Sequence, residues 1–193
     1  MRILILYGTT EGQTGKIASH IADIIGSKGH EVMLQCGEQL PADFTLNSFN
    51  AAIIGGSIHM GKYQPYVIKF VRDHRDWLNS VPSAFFTVCM GVNSRHAKDR
   101  ASARHYSVEF MEQSNWQPRL TETFSGAVKY TQYNFITRFI MKMISKRAGG
   151  STDTRRDHEY TDWDEVTRFA EQCIEQFQGA AAQESRPGAL PGQ

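Results

Sequence analysis

Short apolar runs and amphipathic stretches alternate along this chain. Arg2-Ile3-Leu4-Ile5-Leu6-Tyr7 reads as a strand. From Thr14 to about Lys28, the residues Ile17, Ala18, Ile21, Ala22, Ile24 and Ile25 share one helical face, and Gly29 is a natural stop. Glu31–Gln35 is a second strand, and Pro41–Asn50 is turn-rich with room for one short helix. Ala51–Gly56 is continuously apolar, as a strand buried on both faces must be. Pro65 suits the first turn of a helix whose stripe is Val67, Phe70, Val71, His74, Trp77 and Leu78. His74 on that stripe reads as a packed residue at the core's edge.

Ala84–Cys89 is the fourth strand, followed by a basic loop from Gly91 to about Arg100. A helix from about Ala101 to Ser114 turns Tyr106, Phe110 and Met111 inward. Thr121–Val128 reads as the fifth strand. The last helix opens at Thr161 or Asp162, with Glu165 as capping-box partner. It buries Val166, Phe169, Ala170, Cys173, Ile174 and Phe177. Such alternation predicts an α/β doubly wound sheet in one domain over residues 1–178. The Ala-, Gly- and Pro-rich tail, 179–193, has the composition of a disordered segment.

Composition narrows the class. A hydrophobic fraction of 40% and a charged fraction of 21% are ordinary for a globular protein, and a net charge of +1 gives no pull toward nucleic acid. Cys36, Cys89 and Cys173 have no metal-ligand spacing and read as free thiols, so no metal is expected. No run of about 18 apolar residues is present to span a membrane, and the N-terminal run lacks a signal peptide's pattern.

Chemistry is announced at the first turn. The first strand runs directly into Gly8-Thr9-Thr10-Glu11-Gly12-Gln13-Thr14 and then a helix. Free amides at a helix N-terminus, glycine and threonine hydroxyls together suit a phosphate. The Walker spacing G-x-x-x-x-G-K-[ST] and the dinucleotide fingerprint G-x-G-x-x-G are both missing. A terminal phosphate monoester fits best; the plain alternative is a βα turn with a threonine N-cap. In doubly wound sheets ligands bind at the carboxyl ends of the strands. Three segments meet there: Thr9–Thr14, Ser57–Tyr63 and Met90–Arg95. Gly55, Gly56 and Gly61 would let backbone approach a flat ring, with Ile58, His59, Met60 and Tyr63 over its faces. Met90, Gly91, Val92 and Asn93 complete the expected ligand set.

No Ser/His/Asp set appears. His59 is a candidate proton carrier beside the ring, or simply a solvent-facing loop histidine. Arg95, Lys98, Arg100 and Arg104 could pair with substrate carboxylates, or form a solvated face.

Residues 129–150 stand apart. Between Thr123 and Thr152 there is no acidic residue, while Lys129, Arg138, Lys142, Lys146 and Arg147 are basic. Phe135, Ile136, Phe139, Ile140, Met143 and Ile144 form one apolar helical face, with Tyr130 and Tyr133 at its entrance. Such a helix suits an anionic membrane surface, or packs on its own domain or on a second copy, which leaves a homo-oligomer open.

The phosphate loop resembles the [ST]-x-T-G-x-T loop of the flavodoxin family, with Glu11 and Gln13 where threonine and asparagine are commoner. That resemblance implies a five-stranded parallel sheet in order 2-1-3-4-5, with FMN as cofactor. Longer strings look like the flavodoxin-type protoporphyrinogen IX dehydrogenases of bacteria: Gly55–Tyr63, Leu78–Phe85, Gly126-Ala127 with Tyr130, Gly149–Arg155 and Tyr160–Trp163. The basic insertion then lies after or within the fifth strand. That family implies oxidation of protoporphyrinogen IX in haem synthesis. It also implies a menaquinone or ubiquinone acceptor and a peripheral position on the cytoplasmic side of the cell membrane. A flavodoxin-type electron carrier, a general quinone reductase and a module that has lost its flavin remain as alternatives.

Overall fold

A computed structural model of the chain describes residues 1–148 and 150–184, apart from the side chains of residues 136, 137, 144, 147, 148, 181, 183 and 184. Five parallel strands form the central sheet in the order β2-β1-β3-β4-β5. They are β1 (Arg2–Tyr7), β2 (Glu31–Cys36), β3 (Ala51–Ser57), β4 (Ser83–Val88) and β5 (Leu120–Phe124). The order reverses between β1 and β3, and this places the ligand end of the sheet where the first and third turns emerge.

The helices are α1 (Gln13–Ser27), α2 (Pro65–Asp73), α3 (Arg75–Ser80), α4 (Ala97–Ser114), α5 (Phe135–Ala148) and α6 (Trp163–Glu184). Ile17, Ile21 and Ile25 of α1 join Val166, Phe169, Cys173 and Phe177 of α6 on one face of the sheet. Val67, Phe70 and Val71 of α2 cover the other with Phe110 and Trp116. The middle strands β3 and β4 are covered on both faces, hence their unbroken apolar sequence.

Several expected elements differ in the structure. The helix from Pro65 to Leu78 divides at His74, whose φ of −117° and ψ of 17° interrupt the helical path. His74 packs edge-on against Phe70, with ring centroids 4.7 Å apart. Helix α4 begins at Ala97 rather than Ala101 because the loop before it is already bonded into a turn: Ser94 Oγ accepts from His96 N–H (3.2 Å) and donates to Asp99 (3.2 Å). Residues 41–50 form turns alone. Helix α6 continues to Glu184, beyond the expected domain end at 178; residues 185–193 of the expected tail lie outside the described residues.

The expected fifth strand, Thr121–Val128, is two strands. Val88 is the last residue of β4 and pairs with Phe124, so beyond Phe124 no parallel partner remains. The chain turns at Ser125-Gly126, and β6 (Ala127–Val128) pairs antiparallel with β7 (His158–Glu159). The insertion, α5 included, is the excursion between β6 and β7. Helix α6 then starts from an aspartate cap, with Asp162 Oδ1 accepting from Asp164 N–H (3.0 Å) and Glu165 N–H (3.1 Å).

Candidate functional site: a cleft at the carboxyl ends of the strands

The turn after β1 is shaped by close packing. A Cβ on Gly8 would lie 2.4 Å from Val67 Cγ2 and 2.8 Å from Gln64 Oε1, so glycine alone lets the backbone descend here. Gly12 adopts φ +86°, and its N–H donates to Thr9 Oγ1 (2.9 Å). The first intrahelical bond of α1 runs from Lys16 N–H to Gly12 C=O (3.2 Å). The amides of Gln13, Thr14 and Gly15 are therefore helix-terminal donors. Thr14 is only 1% exposed, and its Oγ1 has no hydrogen-bond partner. A buried hydroxyl left without a partner costs about 1–3 kcal/mol, so a ligand oxygen is what this atom lacks. Amides, dipole and orphan hydroxyl together fit a phosphate.

The turn after β3 is a tight hairpin. His59 N–H donates to Lys62 C=O (2.9 Å) and Lys62 N–H returns to His59 C=O (3.1 Å). Met60 (φ +50°) and Gly61 (φ +79°) both occupy the left-handed region, as a two-residue hairpin of this hand demands. Met60 stands 90% exposed at its tip. Sequence reasoning missed the residue that fixes this hairpin to the phosphate loop. Gln64, buried at 7% exposure, donates from Nε2 to Thr10 Oγ1 (3.1 Å) and Ser57 Oγ (2.8 Å). Its Oε1 accepts from Ser57 N–H (3.2 Å). A lone glutamine just before Pro65 was the available signal.

Between these turns and the one after β4 lies a mostly apolar cleft of about 490 Å³, within the usual range for small-ligand sites. Thr9, Thr10, Glu11, Gln13 and Thr14 line it, with Ser57, Ile58, His59, Met60 and Gly61, and with Met90 and Gly91. Tyr106 of α4 and Cys89, neither foreseen as ligand contacts, also face it; burial pushes the Cys89 thiol pKa up, which makes it an inert wall. Ile140 and Met141 of α5 form part of the roof.

Several expected contacts lie elsewhere. Tyr63 is 7% exposed in the core, its hydroxyl 2.8 Å from Thr87 Oγ1 and its ring 4.9 Å from that of Phe110. Gly55 and Gly56 are glycines for the same reason: an added Cβ would meet Phe86 at 2.1 Å and Tyr63 at 2.7 Å, so core rings and no ligand occupy that space. Gly12 shapes the turn rather than lining the cleft, Val92 packs with Ala103, and Asn93 is exposed. The expected carboxylate-binding set also disperses. Arg95 and Lys98 are exposed away from the cleft, and Arg100 donates to Ser94 C=O (2.7 Å) to brace its own loop. Arg104 lies toward Glu165, whose carboxyl is raised by burial and by Glu122 and Asp162.

The insertion docks through polar anchors. Tyr130, expected at its exposed entrance, is 0% exposed and donates to Ser151 C=O (3.1 Å). Ser145, also fully buried, donates to Ser151 C=O as well (2.9 Å). Ser151 N–H reaches Tyr160 Oη (2.7 Å), and a Cβ on Gly150 would sit 2.8 Å from that same oxygen. Arg138 closes the turn by donating to Tyr130 C=O and Tyr133 C=O (3.1 Å each). Tyr133 is half-buried and donates to Glu11 Oε2 (2.6 Å); Gln13 Nε2 donates to Thr161 Oγ1 (2.9 Å). The insertion and the phosphate loop are thus bonded to each other directly. Beside the exposed Lys142 and Lys146, α5 leaves apolar side chains outside: Phe135 is 85% exposed, Phe139 60%, Ile140 50% and Met143 60%. The side chains of Ile136 and Ile144, expected on the same face, lie outside the described residues.

A sheet in this order, with a phosphate-type turn after its first strand and a ring-sized cleft between the third and fourth, is a flavodoxin arrangement. The chain belongs to the flavodoxin family, whose domain matches residues 4–155. An archaeal flavodoxin of known structure superposes with a TM-score of 0.55 at 18% identity, over 92% of this chain and 99% of that one. Oxidised flavodoxin 1 of Bacillus cereus gives 0.55 at 14% identity, over 91% and 98%. Both likenesses concern the fold. In sequence the chain is similar to protoporphyrinogen IX dehydrogenase (quinone) of Escherichia coli, 35% identical over 170 residues, 88% of this chain and 93% of the relative. The enzyme of the same name from Leishmania major is 34% identical over 172 residues, 88% of this chain and 73% of the relative.

Proposed function

We propose that this protein is an FMN-dependent oxidoreductase that converts protoporphyrinogen IX to protoporphyrin IX in haem synthesis. Its electron acceptor is a respiratory quinone, menaquinone or ubiquinone, and it works from the cytoplasmic face of the cell membrane. The observation that carries this reading is the roof of the cleft. A flavodoxin-type cleft is overhung by α5, whose Ile140 faces the cavity edge while Phe135, Phe139 and Met143 face outward. An electron carrier between soluble partners has no use for such a ridge. The similar curated enzymes support the choice of substrate and acceptor.

The residues present fit FMN. The amides after Gly12 and the Thr14 hydroxyl would hold its phosphate, and the hairpin at His59–Lys62 and Met90-Gly91 would flank its ring. Bound FMN supplies the two-electron redox chemistry, and the chain supplies position and electrostatics. Gln64 keeps phosphate loop and hairpin in register by bonding both. Ile140 and Met141 of α5 add apolar surface over the cleft. His59, which lines the cleft, would be the side chain to carry a proton there.

Exposed apolar side chains of this size gain on the order of 1–2 kcal/mol each when buried at a lipid interface. The exposed Lys142 and Lys146 add about 1 kcal/mol apiece on an anionic surface. Purified protein loaded with FMN should give quinone-dependent porphyrin fluorescence from protoporphyrinogen. It should also sediment with anionic liposomes, and the Phe135→Ser/Phe139→Ser/Met143→Ser variant should stay in solution with its FMN retained. FMN binding without porphyrin formation would leave the electron-carrier reading in its place.

A further inference from the structure

A second cavity of about 350 Å³ lies beside the cleft, between the hairpin, α2 and α4. Gly61 and Tyr106 line both cavities, so the two share an edge. Only a short gap separates these two residues: a Cβ on Gly61 would sit 3.6 Å from Tyr106 Oη. The floor is apolar, made in part by the buried Tyr63 and Phe110. The walls carry Lys62 from the hairpin and Arg72 from α2, both exposed.

These two cations differ from their neighbours. Lys69 is paired with Asp73, and Arg75 with Asp76 at 2.8 Å. Among the described residues neither Lys62 nor Arg72 is in an ion pair. Glu109 also lines the cavity and accepts from Gln113 Nε2 (3.0 Å); its negative charge offsets one of the two cations, and the groove stays positive on balance. The groove therefore offers an apolar floor, two unpaired cations and continuity with the site of redox chemistry.

We propose that this groove is the carboxylate subsite of the substrate. It takes a propionate-bearing edge of the tetrapyrrole, with Lys62 and Arg72 on the carboxylate, while the macrocycle lies across the shared edge toward the cleft. This assignment rests on the substrate class proposed above, and it replaces the cluster after β4 as the carboxylate partner. The pairs are solvent-exposed, so each contributes modestly; two together correspond to about a tenfold preference for the acid over its neutral ester.

The test is a fluorescence titration of the FMN-loaded protein with protoporphyrin IX and with its dimethyl ester, in the same detergent. Wild type should bind the free acid about tenfold more tightly. Lys62→Ala/Arg72→Ala should lose that preference, with FMN content unaltered, and should raise the KM for protoporphyrinogen by a similar factor. The subsite is overturned if the double variant keeps the preference, if wild type has none, or if Arg95→Ala/Lys98→Ala abolishes it instead. Acid-selective binding that the double variant loses, in a protein that does not oxidise protoporphyrinogen, would sink the proposed function and uphold the groove.

Discussion

Replacing Tyr133 by phenylalanine tests whether the insertion and the phosphate loop act as one unit. The Tyr133 hydroxyl donates to Glu11 Oε2 at 2.6 Å, the short end for an O–H donor to a carboxylate. Bonds of this charged kind contribute about 1.5–3 kcal/mol. The pair is half-buried, so screening argues for the lower end, about 1.5 kcal/mol. That corresponds to roughly a tenfold increase in the fraction of molecules with the insertion lifted from the loop. Hydrogen exchange should therefore speed up by about that factor in the 130–148 segment and not in β3 or β4. FMN affinity should fall as well, because Glu11 freed of its donor stands beside a doubly charged phosphate. In a double-mutant cycle with Glu11→Gln, the coupling between the two positions should be about 1.5 kcal/mol. Coupling below about 0.3 kcal/mol, or exchange that is uniform along the chain, would show that the insertion is held without this bond.

Thr14→Val should weaken FMN binding about tenfold in a flavin fluorescence titration while the flavin-free protein melts no lower, since the lost hydroxyl has no partner inside the protein. Equal loss in melting temperature would mean the hydroxyl serves the fold. Gly55→Ala should cost about 3 kcal/mol or more by chemical denaturation, because the new methyl would lie 2.1 Å from Phe86 Cζ; Phe86→Leu in the same chain should recover part of it. Burial holds the phenol pKa values of Tyr63 and Tyr133 well above the ordinary value of about 10. The folded state then keeps protons that the unfolded chain releases, so stability should be level below pH of about 10 and fall as pH rises beyond it. Tyr63→Phe should flatten that fall, and a curve unchanged by it would refute the assignment.

The sheet was legible because its three inner strands, β1, β3 and β4, are buried on both faces, and such strands are written as unbroken apolar runs. Ile3–Leu6 and Ala51–Ile54 leave no polar position to mislead. The phosphate turn was legible because its chemistry is local, compressed into Gly8–Thr14. What the sequence concealed depends on partners far along the chain. Nothing near Tyr63 says that its ring fills the space left by Gly56, or that Phe86 occupies the space above Gly55. The break after Phe124 follows from β4 ending at Val88, which is a fact about another strand. The basic run from Arg95 to Arg104 looked like one patch because it is contiguous in sequence. Helical rotation and the Ser94 turn send its members in different directions, while Lys62 and Arg72, from different elements, meet on one groove.

The insertion shows the same principle in a form that bears on function. Its apolar residues read as a helix face for a membrane surface or for packing, and the structure leaves Phe135, Phe139, Ile140 and Met143 exposed on α5. The helix is held by Tyr130, Ser145, Arg138 and Tyr133, which bond to Ser151, to the turn backbone and to Glu11. Gly150 and Tyr160 complete the mooring, and this accounts for the strings around residues 150 and 160 lying so far from the flavin loop. Anchoring by polar groups lets Phe135, Phe139 and Met143 stay outward. A folded protein that left Phe135, Phe139, Ile140 and Met143 outward without use would carry an aggregation liability. Because the same helix also places Ile140 and Met141 on the cleft, whatever covers the ridge lies within one helix diameter of the redox site. If that cover is the lipid surface proposed above, a membrane-dissolved quinone would reach the cleft across α5, and the mooring of α5 would then link the choice of electron acceptor to the phosphate loop.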